Sequence, residues 1–431
     1  MGCTSSIPGR YKNGRRKKKK GSRIAEVAVF VPCLRIPVAV DLQQGLRGIV
    51  GREVVDRIMQ RRSRIVLLAQ ENVLEAVEGI LEVQRALEDY LPVLIGLIEK
   101  ERRLEALVEF KWRSLGDNGQ EICLASAWYE LLSVIHMMAM LSLLQANQLL
   151  IPKDCADARE RKVSEDAKKV AVDLLLKASG FLEYNIHHIL VHLPIHIRRN
   201  LPKDLQEGVL EAISIQALAQ GVEMQLGLAM ECEKATLPVK RRLACEEVIY
   251  FAQAHYCLSG CENSDANGRK LLLFLKYKYL EAKAAAYYYH GLVLGKGSEP
   301  NDQVSSVCCH FAANDLLIES KRACLSFCLA KPLTRVPPAW GVMKHLQKKI
   351  PETASKKSQM YGDLIEQDKA FQTLPDLPEF TLSLKPDDYE LPEIDECWVG
   401  DKSQPQIQML KEHLRDDDDD DTFEPIEDLN L

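Results

Sequence analysis

The first residues of the chain carry the groups whose chemistry is easiest to name. The sequence begins Met1-Gly2-Cys3 and places Ser6 four residues after Gly2. Once Met1 is removed, a glycine followed at this distance by serine or threonine is the pattern for N-myristoylation. A neighbouring cysteine is a common site for a second, reversible acyl chain. We therefore predict an N-myristoyl group on Gly2 and an S-palmitoyl group on Cys3.

A basic stretch follows these two residues. Residues 1–23 contain nine basic side chains and no acidic one. One myristoyl chain binds membranes only weakly, and each basic residue near an anionic leaflet adds about 1 kcal/mol. A nuclear signal or a nucleic-acid tail is the alternative, but the body is acidic and no aromatic residues interleave with the run. We predict contact with anionic membrane lipids through Arg15, Arg16, Lys17, Lys18, Lys19 and Lys20.

Signals for catalysis or metal binding are weak. His188, His192 and His196 have the spacing of one helix face, but Pro194 interrupts that face and no HExxH motif accompanies it. A metalloenzyme using the first two histidines is the alternative. Residues 291–298 only faintly resemble a phosphate loop, because they end a predicted helix and join no strand to it. We predict no enzymatic activity, no cofactor, no metal and no small-molecule substrate.

The elements that must position any site are helical. Apolar residues make up 46% of the 431 residues and aromatic residues 6%, a balance that favours helices packed on helices. Residues 24–40 predict a short extended pair, and 131–144 a buried core helix too short to span a membrane. The 13 cysteines are read as reduced cytosolic thiols. Helices are predicted at 41–49, 53–89 (with an interruption), 92–109, 122–150, 164–190, 204–233, 238–258, 270–294, 303–330 and 354–371.

Charge divides the chain into three parts. The basic tail covers residues 1–23, the helical domain 24–399, and an acidic tail 400–431. Residues 416–431 contain nine acidic side chains and no basic one, which predicts disorder. A solubilising role is the simplest interpretation of this tail. Auto-inhibition is the alternative, because its acids are mixed with apolar residues such as Phe423 and Leu429.

An ordered series of short motifs gives a resemblance over residues 27–395. Its members are residues 110–112 with 127–130, 178–182, 218–220 with Glu223, 277–291 and 374–378. In this order they resemble the Bro-one domain family of the ALIX and BROX type, most closely its plant BROX-like members. The resemblance implies an elongated, boomerang-shaped, all-α helical array with a TPR-like solenoid portion. Ile135-His136-Met137 and Gln220-Gly221-Val222-Glu223 depart from the family pattern.

What the resemblance implies is binding of another protein. Members of this family present a groove to the C-terminal amphipathic helix of an ESCRT-III subunit of the Snf or CHMP class. Carried over by position, the groove residues are Leu226 (or Gln225), Val239 and Leu243, completed by Leu316 or Leu317. Any of these leucines or valines is alternatively an ordinary core residue. The basic residues Lys240, Arg241 and Arg242 would suit an acidic partner helix.

Together these signals predict a lipid-anchored adaptor. It would lie on the cytosolic face of endosomal membranes or the plasma membrane, partly cytosolic, and act in multivesicular-body sorting and protein transport. A membrane-tethered scaffold for a non-ESCRT partner, such as a cytoskeletal or signalling protein, is the alternative. No nucleic-acid partner is expected.

Overall fold

The computed structural model is a stack of long α-helices with two small sheets. It describes residues 25–32, 34–70, 73–74, 76–99, 104–115, 119–151, 163–259, 266–297, 300–336, 341–368 and 374–399. The helices are α1 (Gln43–Leu46), α2 (Arg52–Leu68), α3 (Val77–Ile98), α4 (Ala127–Leu150), α5 (Glu165–Tyr184), α6 (Ile195–Arg199), α7 (Glu207–Glu231), α8 (Leu237–Ser259), α9 (Ala266–Leu294), α10 (Pro300–Leu329) and α11 (Gly341–Asp368). The strands are β1 (Ala25–Glu26), β2 (Arg35–Pro37), β3 (Glu109–Ser114), β4 (Glu121–Ala125) and β5 (Thr334–Arg335). The predicted all-α class is confirmed. Residues 1–24 and 400–431 lie outside the described residues, so the division into two tails and a body stays a prediction.

Long helices pack side by side from α4 to α10, each against the next long helix in the chain. The positions at which these helices begin are explained by residues at their N-termini. The Ser164 hydroxyl accepts a hydrogen bond from the Ala167 backbone N–H at 3.1 Å and caps α5, as predicted. Helix α8 begins beside Pro238, also as predicted, because proline is tolerated in the first turn of a helix. The stack therefore follows from helix signals that are local in the sequence.

Helix α4 is the most apolar element. It runs for 24 residues, longer than the predicted apolar stretch, and by length and composition it is sufficient to cross a membrane. However, 89% of its apolar window is buried inside the protein. That burial agrees with the predicted core helix.

Two strands and one proline differ from the predicted elements. Residues 109–114 and 121–125 form antiparallel strands, although the sequence predicted the end of one helix and the start of another there. Pro92 was predicted to open a helix but lies inside α3. The two predicted N-terminal strands exist, yet they do not pair with each other: β1 pairs in parallel with β5, and β2 pairs with β3.

A buried ion pair joins this small sheet to the helices. The Arg62 Nε donates to Glu130 Oε1 at 2.8 Å, and the Trp112 indole N–H donates to Glu130 Oε2 at 2.6 Å. The Tyr90 hydroxyl reaches Glu130 Oε1 at 3.3 Å, while Arg62 Nη1 donates to the Val38 carbonyl at 2.6 Å. Trp112 of the 110–112 motif and Glu130 of the 127–130 motif are thus partners in one buried network.

An extended arm, residues 374–399, crosses the helical stack. Its Asp387 N–H donates to the Leu176 carbonyl of α5, and its buried Trp398 donates to the Val93 carbonyl of α3 at 3.0 Å. Two glycines allow this close approach. A Cβ at Gly180 would collide with the Asp387 backbone, and one at Gly96 with the Trp398 ring. The arm therefore ties α5 to α3.

Candidate functional site

The predicted partner surface centres on the first half of α8. Val239 is 46% exposed there, and Leu243, one helical turn later, is half-buried. Because residues four apart share a helix face, the two side chains form one apolar patch. Lys240 lies between them in sequence, so a basic group borders the patch. We call Val239 and Leu243 the α8 apolar pair.

The other predicted groove residues lie at different depths. Leu226 is 0% exposed and Leu317 is 1% exposed, so both belong to the core and cannot contact a partner in this conformation. Gln225 and Leu316, the alternatives, are half-buried. The reason is that α7 packs against α5, α8 and α11, which leaves Leu226 no outer face. Of the predicted set, Val239, Leu243, Leu316 and the alternative Gln225 are accessible at the surface.

The predicted groove leucines still meet in one place. Leu243 and Leu316 pack against a second hydrophobic cluster that contains Leu226 and Leu317. This second cluster consists of Leu226, Ala244, Cys245, Ala284, Ala285, Ala286, Tyr287, Tyr288, Tyr289, Cys309, Ala313, Leu317, Met343, Leu346 and Ile350. It lies beneath the α8 apolar pair. The carried-over leucines therefore belong to one cluster or pack against it, with Leu226 and Leu317 inside and Leu243 and Leu316 at its edge. Their role in partner binding stays a prediction.

The extended arm borders this surface and contacts two of its arginine side chains. The Arg241 guanidinium lies 5.8 Å from the centre of the Phe380 ring, and Arg242 Nη2 donates to the Thr381 carbonyl at 3.4 Å. Arg242 also pairs with Glu246 at 2.9 Å. Both arginines therefore have partners within the chain.

Sequence reasoning missed an exposed apolar stripe on α10. Ile318, Leu325 and Leu329 are all exposed, and their spacing of seven and then four residues places them on one helix face. That spacing was the available signal. Arg322 lies between them at the same face. We call these three residues the α10 stripe.

The three histidines with the spacing of one helix face do not share one continuous α-helix. His188 stacks on Tyr184 with ring centres 4.7 Å apart, and His192 stacks on Trp128 at 4.5 Å. The chain is a π-helix at 185–189 and a 3-10 helix at 190–192, and His196 belongs to α6. Across the part of the chain that the structure describes, no group of three or more His, Cys, Asp or Glu side chains could hold a metal ion.

The glycine-rich segment 291–298 is the end of a helix. Helix α9 ends at Leu294, and the carbonyls of Gly295 and Gly297 accept hydrogen bonds from Gln303 Nε2 at 3.3 and 3.1 Å. A helix C-terminus presents carbonyl oxygens, which repel phosphate. The segment lacks the geometry of a phosphate loop.

The acylation and membrane residues lie outside the described residues. Gly2, Cys3 and the basic residues from Arg15 to Lys20 all fall within residues 1–24. Their predicted modification and membrane contact therefore stay predictions.

The long helices are stacked side by side, and the extended arm is tied along them, with the apolar pair on α8. This architecture places the chain in the class of elongated helical domains. By sequence the chain matches no protein-family model and no curated protein. By structure it is similar to ALIX in complex with the SIVmac239 PYKEVTEDL late domain, with a TM-score of 0.61 and 16% identity, over 87% of this chain and 50% of that one. It is similar to the complex of the ALIX Bro1 domain with CHMP4C (TM-score 0.57, 16% identity, 86% of this chain and 95% of that one). A Bro1 domain structure described as the basis for endosomal targeting gives 0.50 and 14%, over 90% and 98%.

The chain therefore has the boomerang-shaped helical fold of a Bro1 domain, as the motif series predicted. It spans half the length of the ALIX chain in the late-domain complex and nearly all of the other two. Identities of 14–16% establish the fold alone. The closer likeness to plant BROX-like proteins stays a prediction.

Proposed function

We propose that this chain is an adaptor that binds the C-terminal amphipathic helix of an ESCRT-III subunit of the Snf or CHMP class. The observation that carries the proposal is the partly exposed α8 apolar pair, Val239 and Leu243. It lies on a Bro1 fold, and one solved structure of that fold is a complex with CHMP4C. The role would be recruitment of ESCRT-III in endosomal multivesicular-body sorting. The proposal assigns no reaction to the chain.

The binding mode would be a helix in a shallow groove. An amphipathic helix offers apolar anchors at i, i+3, i+4 and i+7, which match a pair of side chains one turn apart. Val239, Leu243 and Leu316 would contact the anchors. Leu226 and Leu317, buried below them, would hold the surface in shape. Lys240 would favour an acidic partner by steering the encounter and fixing its orientation.

Val239→Asp is expected to weaken binding of a peptide of the CHMP4C C-terminal helix at least thirtyfold, about 2 kcal/mol. The new carboxylate would be desolvated among apolar groups without a partner. Leu243→Asp should abolish capture of the subunit in a pull-down. Because Val239 is already exposed, its variant should keep the helical circular dichroism signal of the wild type. Isothermal titration calorimetry measures the affinity.

Val170→Asp is the matched control, since Val170 on α5 is also 46% exposed. It should bind the peptide as the wild type does. If Val239→Asp and Leu243→Asp both keep wild-type affinity, the groove lies elsewhere and the proposal for this surface fails.

We further propose that the chain is anchored to the cytosolic face of endosomal membranes or the plasma membrane. The support is sequence alone: Gly2 and Cys3 as acylation sites, with the adjacent run from Arg15 to Lys20. Two weak membrane signals acting together give stable anchoring where one does not. An anchored domain also meets its partner at a higher local concentration, so a modest groove affinity is sufficient.

Gly2→Ala is expected to move most of the protein from the membrane fraction to the cytosolic fraction in cell fractionation. The reason is that palmitoylation at Cys3 usually depends on prior membrane contact through the myristoyl chain. Cys3→Ser should leave a weaker, salt-sensitive membrane association through myristate and the basic run. Ser5→Ala is the control, because position 5 lies outside the required pattern. A wild-type protein found wholly in the cytosol would contradict the anchor.

A second candidate function rests on the α10 stripe. Three exposed apolar side chains on one helix face could bind a helix of a partner other than ESCRT-III. A membrane-tethered scaffold requires such a partner. Leu325→Asp distinguishes the two candidates. The adaptor proposal expects unchanged ESCRT-III binding in this variant, whereas a scaffold using the stripe loses its own partner.

A further inference from the structure

A cavity of about 360 Å³ opens between the helices of the stack. Helices α7, α9, α10 and α11 contribute to its wall, together with residues next to β1 and β5. Its lining among the described residues includes Glu223, Lys278, Glu281, Lys321, Leu325 and Met343. Its volume falls in the range of small-ligand pockets.

One ammonium group at this cavity is surrounded by three carboxyl groups. Lys278 Nζ donates to Glu223 Oε1 at 2.8 Å and to Glu281 Oε2 at 3.2 Å. Glu247 of α8 is buried close enough to influence both acids. Burial, together with the neighbouring carboxylate of Glu223, raises the pKa of Glu247 and of Glu281. Three carboxyl groups thus lie around one ammonium group in this cluster.

The most informative atom is the second carboxylate oxygen of Glu223. Glu223 is only 9% exposed, and its Oε2 is buried without a hydrogen-bond partner among the described residues. A buried acceptor left without a donor destabilises the fold, and more so when it is charged. Much of the surrounding wall is apolar, including Val336, Met343 and Leu325. The cavity thus combines an apolar wall with one unused, buried acceptor.

We propose that this cavity binds a primary ammonium group carried on a short apolar stem, with Glu223 Oε2 as its acceptor. The stem would contact the apolar wall, and the ammonium would supply the missing donor. Lys278 does not oppose this assignment, because its charge is already shared by two carboxylates. Lys321 also lines the cavity but is exposed and hydrated. The ammonium could belong to a lysine side chain of a bound protein or to a free amine, and the probes below separate these sources.

The first test uses calorimetry on the full chain with n-butylammonium and its neutral counterpart n-butanol. The ammonium is expected to bind at least tenfold more tightly, because only the charged donor satisfies Glu223. Glu223→Gln should remove that difference. Glu319→Gln, an exposed acid on α10 that does not line the cavity, should leave it unchanged.

Lys321→Gln keeps the test valid if Glu223→Gln does not fold. Lys321 is exposed, so its replacement should not disturb the core, and removal of a positive charge should raise butylammonium affinity two- to fivefold. Equal binding of butylammonium and butanol to the wild type would overturn the proposal. Weaker butylammonium binding in Lys321→Gln would overturn it as well.

A second probe identifies the source of the amine. Nα-acetyl-lysine methylamide carries the same ammonium on a peptide backbone. If it binds as tightly as butylammonium and needs Glu223, the site accepts a lysine side chain of a protein. If it is excluded while butylammonium binds, the ligand is a small free amine. Binding of neither charged probe contradicts the site itself.

Discussion

Replacement of Arg62 by methionine is expected to lower the free energy of unfolding by about 3–5 kcal/mol, the range for removing one partner of a buried ion pair. Burial alone would lower the pKa of Arg62, but the effects of Glu130 and Tyr90, including the hydrogen bonds to them, together outweigh burial, so the pKa is raised. Without Arg62, Glu130 would keep the Trp112 and Tyr90 donors but lose its counter-charge. The Val38 carbonyl would also lose its Arg62 donor.

Urea unfolding followed by circular dichroism measures this loss. Arg61→Met is a matched control one residue away, because Arg61 forms a partly exposed ion pair with Asp89 at 3.1 Å. Exposed pairs contribute about 0–1 kcal/mol, so this variant should remain close to the wild type. A loss below 1 kcal/mol for Arg62→Met would contradict a major contribution of the buried Arg62–Glu130 ion pair to stability.

The long helices could be predicted because their start signals are local. Ser164 before α5 and Pro238 at the start of α8 are capping or first-turn residues that act through neighbouring backbone groups. Pro92 shows the limit of the same reasoning. It reads as a helix start, but packing on both sides of α3 holds the helix continuous through it. Tertiary contacts decided that position.

The three-stranded sheet could not be predicted for a related reason. Strands β3 and β4 are short, and their neighbours in the chain are strong helix formers, so the helical pattern extends over them. Phe110 and Trp112 alternate with exposed residues at period two, which was the available strand signal. This alternation indicates a strand only once β3 and β4 are known to pair in antiparallel orientation.

For the proposed partner surface, spacing could give which residues share a helix face but not which of them are exposed. Val239 and Leu243 share a face of α8 by their spacing, and the structure agrees. Leu226 and Leu317 carry the same residue type but are buried, because other helices cover their faces. Periodicity identifies an apolar face, whereas exposure depends on which elements pack against it.

Acidification is expected to destabilise the protein by about 3 kcal/mol through one histidine of α4. His136 is completely buried, and neither ring nitrogen has a hydrogen-bond partner among the described residues. Burial lowers the pKa of His136 from 6.5 to about 4. The charge of Asp204 raises this pKa by a smaller amount, and the charge of Arg35 lowers it by a smaller amount. The unfolded chain therefore binds a proton between pH 6.5 and about 4 that the folded chain does not. Stability is complete above pH 6.5 and falls as the pH approaches 4.

His136→Leu should flatten this part of the stability–pH curve, measured by urea unfolding at intervals between pH 7 and 4. Leucine has a similar volume and no polar atoms, so at pH 7 the variant should be at least as stable as the wild type. His196→Leu, at an exposed histidine of α6, is the control and should keep the wild-type slope. An unchanged slope in His136→Leu would mean that other groups, such as the buried His310, dominate acid unfolding.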